Sequence, residues 1–251
     1  IGSSGSALGA INVTNADQVA FSGTIDAASY TQSDAAATGL TSFDGALTLT
    51  GAFDFIGQAL TLNDSLNSGS SVAITNAGLL TTAADADITA ASGFTQNGAG
   101  SSSIAGDIST TNTDLSFLRA VTLTDDVAFS TGTSGAGDIT FSSTLDGAQN
   151  LSLTSGTGSI SFSGVVGTTR LGDVTINAAH NVTIADGKAF SAASFNQATA
   201  GGGTFSLGGD LDTDAGAITI DSKVVALNAN ITTTAGNDGT NDNGLVTINA
   251  G

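Results

Sequence analysis

Residues 171–184 repeat residues 8–21 without a gap, and this internal repeat restricts the fold more than any single residue does. Further matches join residues 94–108 to 195–211, residues 60–66 to 121–127, and residues 121–127 to 225–231. The offsets of these matches lie near whole multiples of about 20 to 21 residues. Similarity at such offsets is typical of a repeat architecture, so we expect each copy to lie a whole number of turns from the other.

Short triplets, in which two large apolar residues flank a small polar one, recur along the second half of the chain. Each predicts a short strand with one buried side, because successive side chains of a strand point to opposite faces. Steps between the triplets alternate between short and long, and an antiparallel meander would instead give one nearly constant step. The triplets begin at Leu151, Ile160, Val174, Val182, Phe195, Phe205, Ile218 and Val225. The weakest is Phe195-Asn196-Gln197, because its last residue is polar.

Two successive steps add up to roughly 20–23 residues, the length of one solenoid turn with two main strands and a shorter third. The sequence therefore predicts an all-β fold, a parallel β-helix (β-solenoid) of about 12 turns. We expect it to be right-handed, as crossovers between parallel strands are. No shift in composition marks a boundary, so residues 1–251 form a single continuous segment. Because neither end carries a cap over its unpaired strands, we expect a fragment of a longer repeat protein.

The charge of the chain excludes one class of partner and indicates where its acidic residues lie. All 22 acidic residues are Asp, which favours turns, whereas Glu favours helices. The net charge is −18, and the only cations are Arg119, Arg170, Lys188 and Lys223. Nucleic acid is therefore not expected as a partner, since phosphate binding needs clustered cations. No apolar run is long enough to predict a membrane span.

Residues 135–167 show a recurring sequence pattern in which Gly and Asp at the corners are followed by apolar triplets. The same pattern includes two segments that begin with Phe-x-Gln, at Phe94 and at Phe195, and continue to a Gly-Asp pair. Its residues in the first region are Gly135, Gly137, Asp138, Ile139, Thr140, Phe141, Asp146, Gly147, Ala148, Gln149, Leu151, Leu153, Gly156, Gly158, Ile160, Phe162 and Gly167. In this repeat pattern and in its composition, the chain resembles the very large secreted repeat proteins of the filamentous haemagglutinin type, which are bacterial surface adhesins and fibre proteins.

That resemblance implies a right-handed parallel β-helix, secretion to the bacterial cell surface or beyond, and a role in adhesion or in an extracellular fibre. We therefore expect a structural segment of an extracellular filament or giant cell-surface adhesin, without catalysis and without a cofactor. Its expected partners are other copies or segments of the same fibre protein and cell-surface glycans. Two alternatives are a carbohydrate- or cell-binding stalk module and a polysaccharide-active β-helix enzyme.

Alternating aspartates are the candidates for a metal site. Asp210, Asp212 and Asp214 alternate along one corner, and Asp85 and Asp87 do so more briefly. Carboxylates are ligands that calcium prefers, but the glycine and aspartate positions do not match the calcium-binding nonapeptide repeat. A solvated corner is the simpler interpretation.

Adjacent Asp125 and Asp126 are the candidates for acid-base chemistry, because glycoside hydrolysis uses paired carboxylates. No cations cluster around them in the sequence, which weakens that hypothesis. The single His, His180, takes the position of Asp17 in the earlier copy, and we expect it at an exposed turn.

The phenylalanines have two interpretations, a ladder of rings inside the coil or exposed rings that bind sugar, and core packing is favoured. They are Phe21, Phe43, Phe53, Phe94, Phe141, Phe162, Phe190, Phe195 and Phe205. Five Asn-x-Ser/Thr sequons, at Asn12, Asn63, Asn150, Asn181 and Asn230, are expected by chance in a chain of this composition.

Overall fold

The computed structural model describes residues 1–2, 6–34, 38–197, 202–233 and 244–250. These residues form strands joined by turns and bends. Within the described ranges there is no helix, and hence none long and apolar enough to cross a membrane.

Thirty short strands follow one another along the chain. They are β1 (Leu8–Val13), β2 (Val19–Phe21), β3 (Ile25–Ser33), β4 (Leu40–Phe43), β5 (Leu47–Leu49), β6 (Phe53–Gly57), β7 (Ala59–Leu62), β8 (Leu66–Ser68), β9 (Val72–Asn76), β10 (Leu80–Thr82), β11 (Ile88–Ala90), β12 (Phe94–Gln96), β13 (Ser102–Ile104), β14 (Ile108–Thr110), β15 (Leu115–Phe117), β16 (Val121–Leu123), β17 (Val127–Ser130), β18 (Ile139–Phe141), β19 (Leu145–Asp146), β20 (Leu151–Thr154), β21 (Ser159–Phe162), β22 (Val166–Ala178), β23 (Asn181–Ile184), β24 (Phe190–Gln197), β25 (Thr204–Leu207), β26 (Leu211–Thr213), β27 (Ile218–Ser222), β28 (Val224–Leu227), β29 (Ile231–Thr232) and β30 (Val246–Ala250).

The strands stack in parallel to form three faces of a coil, which we call face 1, face 2 and face 3 in chain order. Most strands pair with the strand three further along, and the long strands β3, β22 and β24 each continue from one face to the next. In the first turns, the residues aligned with one another are Ile11, Tyr30 and Phe53 on face 1, Val19, Thr41 and Leu60 on face 2, and Ile25, Leu47 and Leu66 on face 3.

The parallel β-solenoid predicted from the sequence is therefore confirmed. Turns differ in length, since the turn from Ser102 to Val121 is shorter than the turn from Leu115 to Ile139. The last turn, from Ile218 to Val246, is longer than either. The coil has about 10 turns, close to the predicted 12, and at about 4.8 Å per turn it is about 50 Å long.

The alternating step lengths have a simple cause in the three faces. Leu151 on face 3 and Ile160 on face 1 are separated by one corner, which gives the short step. Between Ile160 and Val174 the chain also forms face 2 at Val166, which gives the long step. Seven of the eight predicted triplets have both flanking residues buried, and in the eighth Val225 is half-buried and Leu227 exposed.

The prediction that the internal repeats lie whole turns apart holds for one match and is wrong for three. Leu60 and Val121 share face 2 and are three turns apart. Ile11 lies on face 1 whereas its match Val174 lies on face 3, and the copies at Phe94 and at Val121 move by one face in the same direction. All three faces are short strands with alternate residues inside, so one sequence unit fits any of them.

Aromatic rings stack along the axis of the coil, as the core interpretation predicted. Phe141 lies nearly parallel to Phe117 and to Phe162, with ring centroids 5.8 Å and 5.5 Å apart. A second stack joins Tyr30 to Phe53 at 5.1 Å. Of the predicted ring ladder only Phe21 is half-buried, and the other eight rings are buried. The rings thus contribute burial together with favourable stacking between turns.

Buried amides replace apolar side chains at a few interior positions and bond from turn to turn. Gln96 Nε2 donates to Asn76 Oδ1 (2.6 Å), and Gln197 Nε2 donates to Ser222 Oγ (2.8 Å). Tyr30 donates its hydroxyl to Gln32 Oε1 (2.6 Å), and burial raises the pKa of that hydroxyl well above its usual range. The glutamine of Phe-x-Gln is therefore an interior residue. Its amide nitrogen donates to a neighbouring turn, as buried polar groups generally require.

Candidate functional site: ladders of aspartate and asparagine

A row of aspartate and asparagine side chains follows the corner that leads into face 3. We call Asp87, Asp107, Asp126, Asn150 and Asp173 the face 3 ladder, because each lies directly before the buried strand residue of its turn. The side-chain oxygen of each of the first four accepts a backbone N–H from the next turn. The donors are Asp107 (2.9 Å), Ala128 (2.7 Å), Asn150 (2.8 Å) and Asp173 (2.7 Å).

The same contact recurs where the chain enters the other faces. On the way into face 1, Asp114 accepts from the N–H of Asp138 (2.9 Å), and Asp138 accepts from the N–H of Ser159 (2.7 Å). Before face 2, Asp210 accepts from the N–H of Asn230 (3.0 Å). The short Asp side chain suits a reach of one strand spacing, about 4.8 Å. The contact therefore favours Asp over Glu at these positions.

The inter-turn role of these residues was not predicted from the sequence, which indicated only local turn contacts. A signal was present, since an Asp or Asn stands directly before an apolar triplet in successive turns. Reading it requires the turn register, because the donor lies about one turn away in sequence, as Ala128 does from Asp107.

A shallow groove of about 510 Å³ runs along the face 3 ladder. Asp107, Asp126, Asn150 and Asp173 line it, and its lining includes no Arg, Lys or His. Asp126 uses both oxygens, since Oδ2 also accepts from Asn150 Nδ2 (2.8 Å). These two hydrogen bonds from Asn150 lower the pKa of Asp126 below its ordinary value. A carboxyl group held in its ionised form is poorly suited to donate a proton as a general acid.

The structure does not join the adjacent candidates Asp125 and Asp126 in this groove. Asp126 lines the groove, whereas Asp125 accepts from the N–H of Asp126 (2.8 Å) and is not among the lining residues. His180 is exposed at the corner between faces 3 and 1, as predicted.

Two of the four cations bind backbone carbonyls of neighbouring turns. Arg119 Nε donates to the Gly98 carbonyl at 3.1 Å. Arg170 spans two turns: Nη1 donates to the carbonyls of Ala192 and Asp212, each at 3.0 Å, and Nη2 forms an ion pair with the Asp212 carboxylate. These arginines therefore fasten turns together and do not converge on the groove.

The proposed calcium ligands already have partners. Asp210 accepts from Asn230, and Asp212 accepts from Thr232 Oγ1 (2.7 Å) and pairs with Arg170. Asp214 is exposed, as are Asp85 and Asp87 at their own corner. Among the residues that the structure describes, no group of three His or Asp side chains is arranged to hold a metal ion. Calcium binding by these candidate aspartates stays a hypothesis, and a solvated corner stays the simpler interpretation.

Four of the five sequon asparagines use their side-chain amides to bond to a neighbouring turn. The amide nitrogens of Asn63, Asn150, Asn181 and Asn230 donate to Asp44 (2.8 Å), Asp126 (2.8 Å), Ser159 (3.2 Å) and Asp210 (3.1 Å) respectively. A glycan on any of these nitrogens would compete with that contact, so these asparagines are better explained as part of the ladders.

Replacing Asp126 with Ala is expected to lower the resistance to urea at neutral pH, with an effect that shrinks in acid. A depressed folded-state pKa gives stability that is present above the ordinary Asp value of about 4. That stability is lost as the pH falls through the lowered value. Urea unfolding at pH 7 and near pH 2 measures the difference from wild type. The matched control is Asp54→Ala on the exposed side of β6, and an Asp126→Ala effect equal at both pH values would contradict the prediction.

The fold and its ladders define the chain as a parallel β-solenoid repeat protein. A comparison with protein-family models finds no match, and comparisons with curated proteins and with solved structures find none either.

Proposed function

We propose that this chain is a structural segment of an extracellular bacterial filament or giant cell-surface adhesin. The observation that carries the proposal is the unbroken stacking of strands, which pair from turn to turn between Leu8 and Ala250 in the described residues. Aromatic stacks inside and aspartate ladders outside both run along the same axis. Such a rod gives length and resistance to unfolding, and its exposed carboxylates keep the surface hydrated.

The repeat style shared with secreted proteins of the filamentous haemagglutinin type supports the proposed location at the cell surface or beyond. In that setting the partners are other copies or segments of the same fibre protein. The proposal assigns no catalytic residue, in keeping with a groove whose lining offers carboxylates and no cation.

A glycan-binding role has less support from the geometry. The chain contains twelve Phe and one Tyr, and none of these thirteen rings is exposed. Sugar rings commonly stack on exposed aromatic side chains, and this surface offers no such platform. A glycan would therefore have to bind through Asp, Asn and hydroxyl groups alone.

The test is to label source cells with an antibody raised against this segment and to image the labelled material by cryo-electron microscopy. We expect label on thin extracellular fibres or stalks with an axial spacing of about 4.8 Å. Label confined to the cell interior, or to compact secreted particles, would overturn the proposal.

A further inference from the structure

In the part of the chain that the structure describes, large apolar side chains are exposed at the two ends of the coil and along only one of its sides. The side positions are Leu40, Ile56, Leu79 and Leu118, exposed by 37%, 38%, 44% and 44%. All four lie at the corner between face 1 and face 2. The remaining exposed large apolar residues of the described chain are Ile1 and Leu8 at one end and Val224, Leu227, Leu245, Val246 and Ile248 at the other. Single exposed apolar residues are common on protein surfaces, but a row of them marks an interaction site.

These side chains form a row because they occupy successive turns. Ile56 and Leu118 occupy equivalent positions at the end of face 1 in their turns. Ile56 pairs with Thr75, and the Leu118 N–H donates to the Gln96 carbonyl (2.9 Å). Leu40 and Leu79 occupy equivalent positions at the start of face 2 in their turns. With Ala99 they cover five successive turns, a length of about 19 Å. We call Leu40, Ile56, Leu79, Ala99 and Leu118 the apolar stripe.

The apolar stripe also carries few carboxylates. Four of its five corner segments, 57–59, 75–79, 97–101 and 118–120, contain no Asp, and their single charge is Arg119. The fifth, before Leu40, holds the buried Asp34. The corner leading into face 3 carries Asp64, Asp85, Asp87, Asp107, Asp125 and Asp126 over the same turns. Two rods of net charge −18 therefore repel each other less when their apolar stripes meet than when their corners leading into face 3 meet.

The stripe contains both a recess and a projecting side chain. A recess of about 210 Å³ is lined by Ile56, Gly57, Thr75, Asn76, Ala77 and Ala99. Leu118 is exposed one turn beyond Ala99. A surface that holds both a projection and a recess can pair with itself about a two-fold axis.

We propose that the apolar stripe is a lateral contact with a second copy of this chain, in which two rods pack antiparallel and each Leu118 enters the recess of the other. The two-fold axis then passes close to Ala99, midway between Leu118 and the recess. This inference rests on the proposed function for its role, which is to join rods side by side within a fibre. The contact itself is a property of the rod in solution.

The contact is small compared with the roughly 800 Å² per partner of a standard interface, so an isolated pair associates weakly. Many stripes along joined segments would strengthen it through multivalency. Because salt screens the repulsion between the acidic rods, pairing becomes stronger as ionic strength rises.

The first test measures self-association by analytical ultracentrifugation over a range of concentrations, at low and high salt. Wild type is expected to form dimers that increase with both. The combined variant Ile56→Thr, Leu79→Asn and Leu118→Ser replaces three side chains that are each more than a third exposed, and it is expected to weaken dimerisation about tenfold or more. The control variant Val224→Thr with Leu227→Ser changes the exposed strand β28 at the end of the coil, and it is expected to dimerise like wild type.

The second test uses the absence of cysteine from the chain. Ala99→Cys places one thiol beside the predicted axis, so oxidation is expected to link two copies much faster than in Ala148→Cys, an exposed control at the corner between faces 2 and 3. Equal rates would overturn the proposed geometry.

Three other results would overturn the inference. They are a wild-type rod that is monomeric at every concentration and salt, association lost in the β28 variant but kept in the stripe variant, and binding of the stripe to neutral phosphatidylcholine vesicles without binding to a second copy. None of them bears on whether antibody label appears on extracellular fibres, so the failure of this inference is distinguishable from the failure of the proposed function.

Discussion

Replacing Phe141 with Ala is expected to lower the free energy of unfolding by about 3–5 kcal/mol, the range for a fully buried aromatic residue. Phe141 is 1% exposed. It stacks on Phe117 and Phe162 in the turns on either side, and its ring centroid is 5.6 Å from that of Phe129 on another face. Removing the ring therefore leaves a cavity open to three turns. The narrow interior cannot collapse to fill it, because each wall is held by strand pairing to its neighbours.

The measurement is urea unfolding followed by far-ultraviolet circular dichroism. Because each turn contacts mainly its neighbours, hydrogen exchange of the turns around Phe141 is the sharper readout of a local loss. Phe21→Ala serves as the control, since Phe21 is half-buried near one end of the coil, and its effect is expected to be smaller. A Phe141→Ala effect no larger than that of Phe21→Ala would show that the central stack does not stabilise the coil.

Replacing Gly147 with Ala is expected to cost at least about 2 kcal/mol, because two penalties coincide. The backbone φ of Gly147 is +114°, a value that residues with a side chain rarely adopt. A Cβ there would also lie 2.1 Å from the carbonyl oxygen of Leu123 in the neighbouring turn. The turn would have to move away from its neighbour and weaken the strand pairing at that level.

The matched control is Gly23→Ala, where a Cβ meets no heavy atom within 4 Å and φ lies outside the positive range. Thermal and urea unfolding of both variants give the comparison, and Gly23→Ala is expected to be near neutral. If the two substitutions had the same effect, the close approach of turns at Gly147 would not be a constraint on the fold.

Much of the fold could be predicted because the relevant signals are local. The triplets at Leu151 and Ile160 show which residues point inward, since alternation along a strand does not depend on what the strand pairs with. Their unequal steps indicated a coil. The third face was harder to find, because β19 has only two residues and β13 begins with Ser102 at an interior position.

The candidate site was less predictable because its contacts join residues about one turn apart. In the sequence Asp126 is a candidate because of its neighbour Asp125, whereas its partner in the structure is Asn150, one full turn later. Leu79 and Leu80 are adjacent and chemically identical, yet Leu79 is 44% exposed and Leu80 is buried. Only the path of the corner decides which of the two faces water.

Short strands with alternate residues inside, Gly- and Asp-rich corners, and a coil of roughly 20–23 residues per turn could all be derived from the amino-acid sequence. Which face each strand occupies, which turn each aspartate bonds to, and that Leu40, Leu79 and Leu118 share one corner became visible only in the folded coil. The cause is that the three faces are locally equivalent. A strand therefore carries no mark of its face, and its place follows from the summed lengths of all the corners before it.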